Sequence, residues 1–309
     1  MISILLASYN GEQFIADQIR SILSQTVQDF KLYINDDAST DGTWQIISDL
    51  AEEHPEKIFI SQNDKNSGGA KYNFLKMMVE IKDDYVMLCD QDDVWLSDKI
   101  ERTLAKMARM EREYGVETPL LAHTDLSIVN ENLEIISPSY RVVMNADFSR
   151  TSLRNMISQT TVAGCAVMYN RALADKITSV PDFTVMHDWW LLLTASAFGK
   201  IGFIEDQTIL YRQHSNNEIG AGDMRTLRFK LHKLLRNSEI KKALCETYIQ
   251  AACFLEVYND KLLSEQIKLL QRYSNIPSKC CKVARMAEVC RLGSLKNGFS
   301  RKIAHLMYI

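Results

Sequence analysis

Three carboxylates stand within four consecutive positions of this 309-residue chain, at Asp90, Asp92 and Asp93. They follow a run of strand length at residues 84–89, and Trp95 lies two positions beyond them. Clustered oxygen ligands suit hard cations such as Mg²⁺ or Mn²⁺. Because a Mg²⁺ site uses one or two carboxylates and completes its shell with water and phosphate oxygens, the cluster predicts a metal-bound phosphorylated substrate. A solvated acidic turn is the alternative interpretation.

The elements that must position this cluster alternate between strand and helix. Strands are predicted at residues 2–7, 32–34, 58–60 and 85–88, and apolar residues at helical spacing follow each of them. Thr40 or Asp41 is predicted to cap the second helix, and Ser97 the fourth. Four such units favour a mostly parallel, helix-flanked sheet of Rossmann-like type.

Polar segments follow all four predicted strands, at residues 8–10, 36–37, 63–69 and 90–93. Ligands of open α/β sheets bind beyond the carboxyl ends of the strands, so these segments are expected to meet at one edge. Their convergence favours the metal-phosphate interpretation over a solvated turn. The chain has no G-x-G-x-x-G after the first strand and no G-x-x-x-x-G-K-[ST], which argues against dinucleotide-binding and P-loop proteins.

Composition is that of a globular protein, with 46% hydrophobic and 24% charged residues. Seven cysteines, an odd number without a Cys-x-x-Cys pair, predict reduced thiols and neither a disulfide framework nor a zinc site. No signal peptide is recognised, and the longest apolar stretch, residues 189–199, is too short to span a bilayer. A cytoplasmic location is therefore predicted.

Charge is distributed unevenly along the chain. Residues 221–309 carry 17 Lys and Arg against 7 Asp and Glu, whereas the first 220 residues carry 19 against 32. The contrast predicts a boundary near residue 220, followed by a basic helical extension at 221–309. Such an extension favours a phosphate-rich partner, and few aromatic residues accompany its charges, which argues against nucleic acid.

Three motifs, residues 8–11 (SYNG), 35–43 (NDDASTDGT) and 90–95 (DQDDVW), resemble those of the family-2 glycosyltransferases, a large inverting group with a GT-A fold. The resemblance covers about residues 1–215 and includes the order and spacing of the motifs. With residues 187–190 (HDWW) and 211–217 (YRQHSNN), the chain is most similar to bacterial rhamnosyltransferases of rhamnan and O-antigen cell-wall polysaccharide assembly. The resemblance implies a catalytic domain at 1–220, with a nucleotide-sugar-binding half at 1–115 and an acceptor-binding half at 116–220.

The same resemblance implies roles on the donor side. Nucleotide-sugar binding is expected of Ala7, Tyr9, Asn10, Asp37, Lys71, Asp90 and Arg212. Asp92 and His214 are expected to hold Mn²⁺ or Mg²⁺, and Asp93 to hold the loop. Of the neighbouring pair Asp36 and Asp37, nucleotide binding is expected of Asp37 before Asp36. Structural alternatives stay open: Lys71 as a solvated helix residue, Arg212 as the partner of a core carboxylate, and His214 as a packing residue.

On the acceptor side, the resemblance implies that Asp188 is the catalytic base, although a carboxylate at a helix start can also serve as a cap. Relatives commonly carry Glu where this chain has His187, which is expected to orient Asp188 or the acceptor. Gly164 and Trp189 complete the predicted acceptor-binding residues.

The resemblance implies an inverting single displacement that moves L-rhamnose from dTDP-rhamnose to a hydroxyl of a lipid-linked polysaccharide acceptor. The basic extension is predicted to attach the enzyme peripherally to the anionic inner face of the cell membrane, with self-association as the alternative. Three rival functions are a transferase of another UDP- or dTDP-hexose, a nucleotidyltransferase, and a non-catalytic sugar-nucleotide binding protein. A nucleotidyltransferase would carry a Gly/Arg/Lys-rich loop after the first strand, which residues 8–11 lack.

Overall fold

Two compact units make up the chain in a computed structural model that describes residues 1–214 and 237–309. The first comprises 1–140, 162–180 and 199–214, and the second comprises 141–161, 181–198 and 237–309. The predicted boundary at residue 220, motif residues 215–217 and the basic residues predicted at 225–236 lie outside the described residues. The predicted division into two domains therefore stays a prediction.

The first unit contains a nine-stranded mixed sheet in the order β3-β2-β1-β4-β8-β6-β9-β5, with β7 paired to β6. Its strands are β1 (Ile2–Ser8), β2 (Phe30–Asp36), β3 (Ile58–Gln62), β4 (Tyr85–Cys89), β5 (Val94–Trp95), β6 (Leu120–Val129), β7 (Ile135–Ser137), β8 (Val167–Asn170) and β9 (Lys200–Arg212). Strands β1 to β4 run parallel, and β8 enters antiparallel between β4 and β6. The predicted Rossmann-like sheet flanked by helices is confirmed, and its antiparallel strands β5, β7 and β8 make it mixed.

The helices of the described residues are α1 (Ile15–Leu23), α2 (Thr43–Glu53), α3 (Ala70–Glu80), α4 (Lys99–Tyr114), α5 (Tyr140–Met144), α6 (Leu153–Met156), α7 (Arg171–Ala174), α8 (His187–Phe198), α9 (Asn237–Tyr258), α10 (Ser264–Ser274), α11 (Lys282–Leu292) and α12 (Phe299–Tyr308). All seven residues of β1 are buried, as expected of a central parallel strand covered on both faces. The four predicted strand–helix units are confirmed, with wider bounds.

Two predicted helix starts need correction. Asp98, not Ser97, occupies the N-cap position of helix α4, and its side chain makes no capping hydrogen bond. The amide of Lys99 donates to the carbonyl oxygen of Leu96 in the preceding turn. The Ser97 carbonyl instead accepts from Thr26. The sequence predicts a buried helix over residues 189–197, but helix α8 begins two residues earlier, at His187, so Asp188 lies inside its first turn.

Strands β6 and β9 pair in parallel, but their register changes along the way. Leu120 pairs with Lys200 at one end and Val129 with Arg212 at the other, so β9 uses three more residues than β6 over the same length. The irregularities lie around Asp125, where the pairing passes from Ile204 to Gln207 and then to Leu210. These bulges decide which residues of β9 reach the end of the strand.

In the second unit, Trp190 lies 5.2 Å from the ring of Phe254 and 6.0 Å from that of Tyr258. These aromatic contacts bury α8 against α9. All seven cysteines lie within the described residues and none forms a disulfide, as predicted. Among the described helices, none combines the length and the apolar character needed to cross a membrane.

A buried histidine on β6 couples the stability of the sheet to pH. His123 is 1% exposed and lies 5.1 Å from the ring of Phe203. Burial lowers the pKa of His123 to about 4, whereas an exposed histidine titrates near 6.5. Between these values the unfolded chain binds a proton that the folded chain does not, so stability is retained above pH 6.5 and decreases as the pH falls towards 4.

We expect urea unfolding to show a loss of roughly 3 kcal/mol from this one residue between pH 6.5 and 4, at about 1.4 kcal/mol per pH unit. The His123→Leu variant removes the titrating ring, so its stability should depend on pH less steeply by about one proton. Equal pH slopes for the two proteins would contradict a neutral, buried His123.

Candidate functional site

Four loops meet at one edge of the first unit because the strands that precede them run parallel. Ser8 pairs with Asp36 in register, and Leu6 pairs with Cys89, so the loops after β1, β2 and β4 start at similar heights. Asn63, the first residue after β3, donates its amide to the carbonyl oxygen of Asp36. The predicted convergence of the polar segments is confirmed.

A reciprocal pair of hydrogen bonds joins the loop after β1 to the acidic cluster. The Tyr9 amide donates to Oε1 of Gln91 at 2.9 Å, and Nε2 of Gln91 donates to the Tyr9 carbonyl at 3.0 Å. A Cβ at Gly11 would stand 2.4 Å from Oε1 of Gln91, so a side chain there would displace the glutamine. No role was predicted for Gln91, and its position between two of the aspartates was the available signal.

The residues predicted to bind the nucleotide at the end of β1 and in the loop after it differ in exposure. Ala7 is buried within the strand, whereas the side chain of Tyr9 is 45% exposed. Asn10 adopts a left-handed conformation (φ 47°), and its Oδ1 accepts from the amide of Thr40 at 2.9 Å. Asn10 therefore ties its loop to the start of the segment before α2, while Tyr9 presents an aromatic ring at the surface.

Asp36 and Asp37 are both buried but serve different loops. Asp36 accepts from Ser8, Ser39 and Gln62, which uses its carboxylate within the sheet edge. Asp37 accepts from Nδ2 of Asn63 at 2.7 Å and from the amide and hydroxyl of Ser67 at 2.8 and 2.9 Å. Asp37 thus fixes the loop between β3 and α3.

Lys71 lies in the first turn of α3, next to the glycine pair 68–69, whose φ angles of 96° and 129° favour glycine. Its Nζ lies 4.8 Å from the centre of the Tyr72 ring. The predicted cap of α2 at Thr40 or Asp41 is wrong, because Gly42 occupies the N-cap position. Asp41 lies just before it and accepts from the amide of Thr43 at 3.0 Å.

The two residues predicted to hold the metal lie in contact. Nε2 of His214 and Oδ2 of Asp92 are 2.7 Å apart, and the imidazole packs 4.8 Å from the ring of Phe14. Carboxylate oxygen suits Mg²⁺ and Mn²⁺, and imidazole nitrogen is a ligand of divalent transition metals. These residues fit a divalent cation.

A second group of ligand atoms lies behind this pair. Oxygens of Asp90 and Asp93 and the sulfur of Cys165 all lie within 4.8 Å of one another. Asp93 and Cys165 are buried, and burial together with the neighbouring aspartates raises the pKa of Asp93 well above its usual range. Oδ1 of Asp93 accepts from the amide of Arg212 at 3.1 Å, in line with a residue that holds the loop.

The side chain of Arg212 binds the backbone of the acidic loop, residues 90–93. Its side chain is 3% exposed, Nε donates to the carbonyl of Asp92 at 2.8 Å, and NH1 donates to the carbonyl of Glu131 at 2.6 Å. The guanidinium also lies 4.5 Å over the ring of Phe14, and NH2 reaches Asp17 at 3.4 Å. The structure thus shows Arg212 positioning Asp92; its predicted contact with the nucleotide sugar stays a prediction.

Lys99 is a second buried cation near the cluster, and sequence analysis missed it. The residue is 0% exposed, and its Nζ lies 4.8 Å over the ring of Trp95, which is itself buried. Burial lowers the pKa of Lys99 to about 8, while Cys165, Cys89 and Asp93 act in the opposite direction. A lysine four residues after the DQDDVW motif, at the start of a helix with an apolar face, was the signal for it.

The predicted acceptor-side residues are distributed over both units. Gly164 starts a buried 3₁₀ turn (Gly164–Ala166) in the first unit, beside β4 and β6. In the second unit, the amide of Trp189 donates to Oδ1 of Asp188 at 2.6 Å, and Nε1 of Trp189 donates to the Met156 carbonyl at 2.6 Å. His187 is 4% exposed, and burial lowers its pKa to about 3, so the ring is neutral at physiological pH.

Comparison with known families gives an independent view of this site. A family model described as glycosyl transferase family 2 matches residues 3–178. The dTDP-rhamnosyl transferase RfbG of Shigella flexneri is 26% identical over 249 residues, which cover 77% of this chain and 81% of the relative. The putative teichuronic acid biosynthesis glycosyltransferase TuaG of Bacillus subtilis is 28% identical, covering 66% and 76%.

Solved structures show the same fold. TarS 1–349 of S. aureus in complex with UDP-GlcNAc aligns with a TM-score of 0.55 at 16% identity, covering 96% of this chain and 93% of that chain. The mannosyltransferase PcManGT from Pyrobaculum calidifontis, in complex with GDP-Man and Mn²⁺, aligns with a TM-score of 0.55 at 14% identity, covering 94% and 72%. The predicted GT-A fold is confirmed.

Substitutions of Asp92 and Asp93 can distinguish a metal ligand from a residue that only holds the loop. We expect Asp92→Asn to weaken dTDP binding in the presence of Mn²⁺ by at least about tenfold, because the oxygen beside His214 loses its charge. Asp93→Asn is the matched control: it keeps an oxygen for the Arg212 amide and should change affinity by less than about threefold. Isothermal titration calorimetry measures both. A larger loss in Asp93→Asn than in Asp92→Asn would instead place the ion at Asp90, Asp93 and Cys165.

Proposed function

This chain belongs to glycosyl transferase family 2, and we propose that it moves L-rhamnose from dTDP-rhamnose to a hydroxyl of a lipid-linked cell-wall polysaccharide acceptor. Its activity as a glycosyltransferase follows from the family match over residues 3–178. The choice of rhamnose is supported by the similarity to RfbG over 77% of the chain and by the residues of the motifs at 90–95, 187–190 and 211–217.

The observation that carries the proposal is the contact of Asp92 with His214 at an edge where four strand-end loops are tied together. A bound Mn²⁺ or Mg²⁺ supplies positive charge that stabilises a departing nucleoside diphosphate. Asp92 and His214 would hold that ion, and Arg212 keeps the Asp92 backbone in place. A site assembled in advance from hydrogen-bonded loops needs little reorganisation when the donor binds.

Donor recognition would use groups that the loops already present. The exposed ring of Tyr9 offers a surface for the base, and Asp37 would accept from the ribose or pyrimidine while retaining its contacts with the loop at Ser67. Asp90 would contact the ribose or sugar, and Lys71 a phosphate. The loop at residues 8–11 carries no Lys or Arg, which weighs against a nucleotidyltransferase.

Asp188 would remove the proton from the acceptor hydroxyl as that oxygen attacks the anomeric carbon from the face opposite the leaving group. One such base suffices for a single displacement with inversion. Its place in the first turn of α8, with Oδ1 already accepting from the Trp189 amide, fixes the carboxylate in one orientation. Gly164, His187 and Trp189 would shape the acceptor side.

A donor panel tests the function directly. We expect the purified protein with Mn²⁺ to release nucleoside diphosphate faster from dTDP-rhamnose than from UDP-glucose or UDP-GlcNAc, and excess EDTA to abolish release. Faster release from a UDP-hexose would favour the rival donor class. Undiminished release in EDTA would contradict the role of the metal.

The base assignment has a test of its own. Asp188→Asn keeps the size of the side chain but cannot accept a proton, so kcat should decrease by about 10³-fold while the affinity for dTDP is unchanged. Asp182→Asn, an exposed carboxylate six residues earlier, is the matched control and should retain full turnover. Normal turnover of the Asp188 variant with acceptor present would show that another group takes the proton.

A further inference from the structure

An outward-facing apolar stripe lies on α12 in the second unit. Phe299 is 81% exposed, Ile303 41% and Met307 49%, and they follow one another at intervals of four residues. With 3.6 residues per turn, these three and the partly exposed Leu306 occupy an arc of about 100° on one side of the helix.

The opposite side of α12 is the one that packs against the protein. His305 is 1% exposed and Ile309 is 7% exposed, and α12 contacts α9. A surface helix of a globular protein normally turns its large apolar residues inward. Here Phe, Ile and Met point away while His is buried, so packing among the described residues of this unit, 141–161, 181–198 and 237–309, does not account for the apolar stripe.

The surroundings of the stripe are strongly basic. Residues 279–309 contain seven Lys and Arg and a single acidic residue, Glu288, which already accepts from Arg272 at 2.7 Å. Lys302 is exposed on α12 beside the stripe, and Lys279 is exposed before α11. Nζ of Lys282 donates to the Met307 carbonyl at 2.6 Å, which places the start of α11 beside the end of α12.

Further basic residues come from another part of the unit. Arg150 donates to the carbonyl of Leu295 at 2.7 Å, in the segment between α11 and α12. The exposed Arg154 lies close to Gly293, where its side chain would be 3.5 Å from an added Cβ. Val283, on the first turn of α11, is 73% exposed and adds an apolar residue near Lys282. Apolar and basic residues are therefore combined on one surface, formed by α11, α12 and the segment between them.

We propose that this surface rests on an anionic lipid bilayer, with Phe299, Ile303 and Met307 inserted at the level of the acyl chains and the lysines and arginines at the headgroups. Helices that lie in the membrane interface have this combination of an apolar stripe and basic flanks. The inference rests on the proposed function in one respect: a lipid-linked acceptor lies in the membrane that this surface would contact.

Charge also decides against the other occupants of such a surface. A second copy of the chain would bring the same excess of positive charge to the interface, and like charges across it oppose association. A nucleic acid would be attracted by the charge but gains little from exposed Ile and Met side chains. An anionic bilayer satisfies both the basic and the apolar components.

Vesicle flotation of the full chain tests the proposal. Wild-type protein should float with vesicles containing phosphatidylglycerol and remain unbound with pure phosphatidylcholine. The triple variant F299S/I303S/M307S should reduce the bound fraction at least about tenfold, and the charge reversal K279E/K302E should do likewise at low salt. Matched controls in the first unit, I135S/I136S at exposed apolar positions and R109E/R112E on α4, should bind as the wild type does.

Wild-type binding by the triple variant, or equal binding to both kinds of vesicle, would overturn the proposal. A dimer of the wild type in sedimentation analysis that is absent in the triple variant would also overturn it, because that result assigns the stripe to contact with a second copy. Release of nucleoside diphosphate in solution by the same variants should equal that of the wild type. Failure of the wild type to release it would overturn the proposed function and leave the flotation result to stand by itself.

Discussion

Repulsion among the carboxylates at the end of β4 is the constraint around which the donor side of this protein is arranged. Asp90, Asp92 and Asp93 cannot stay together in a low-dielectric setting unless cations and hydrogen-bond donors offset their charges. Arg212 supplies a buried guanidinium and a backbone amide to the loop, and Lys99 supplies a second buried cation. A cluster that is expensive to assemble is thereby kept ready for the ion that would complete it.

The same requirement explains why the loops at the sheet edge bind one another so extensively. Gln91 couples the acidic loop to β1, Asn10 couples β1 to the segment before α2, and Asp37 couples β2 to the loop before α3. Each hydrogen bond restricts a loop conformation that would otherwise have to be ordered when the nucleotide sugar binds. Asp188, which we propose removes the proton, lies instead on α8 in the second unit. In this proposal, leaving-group stabilisation and base catalysis would depend on different parts of the fold.

Much of this could be predicted from the sequence, because the strand–helix alternation and the strand-end motifs are local patterns. The resemblance implies that Asp92 and His214 hold a metal, which stays a prediction, and the structure places the two side chains in contact. Other features depend on distant contacts that no local pattern encodes. The sequence around Lys99 is that of a solvated helix residue, and its burial against Trp95 depends on the fold. The role of Gln91 depends on its hydrogen bonds with Tyr9, 82 positions away. The inverted face of α12 is likewise visible only once its packed side is known.

The bulges between β6 and β9 have a consequence for how this protein could lose activity. They accommodate three additional residues of β9, and without them Val129 would face Ile209 in place of Arg212. A deletion within residues 204–210 could therefore leave the strands paired and the interior filled while it delivers the wrong side chains to Asp92. Such a variant would lose the Arg212 contacts with Asp92 and Asp93 and would be catalytically silent. The length of this strand, more than the chemistry of any residue within it, is what selection must preserve there.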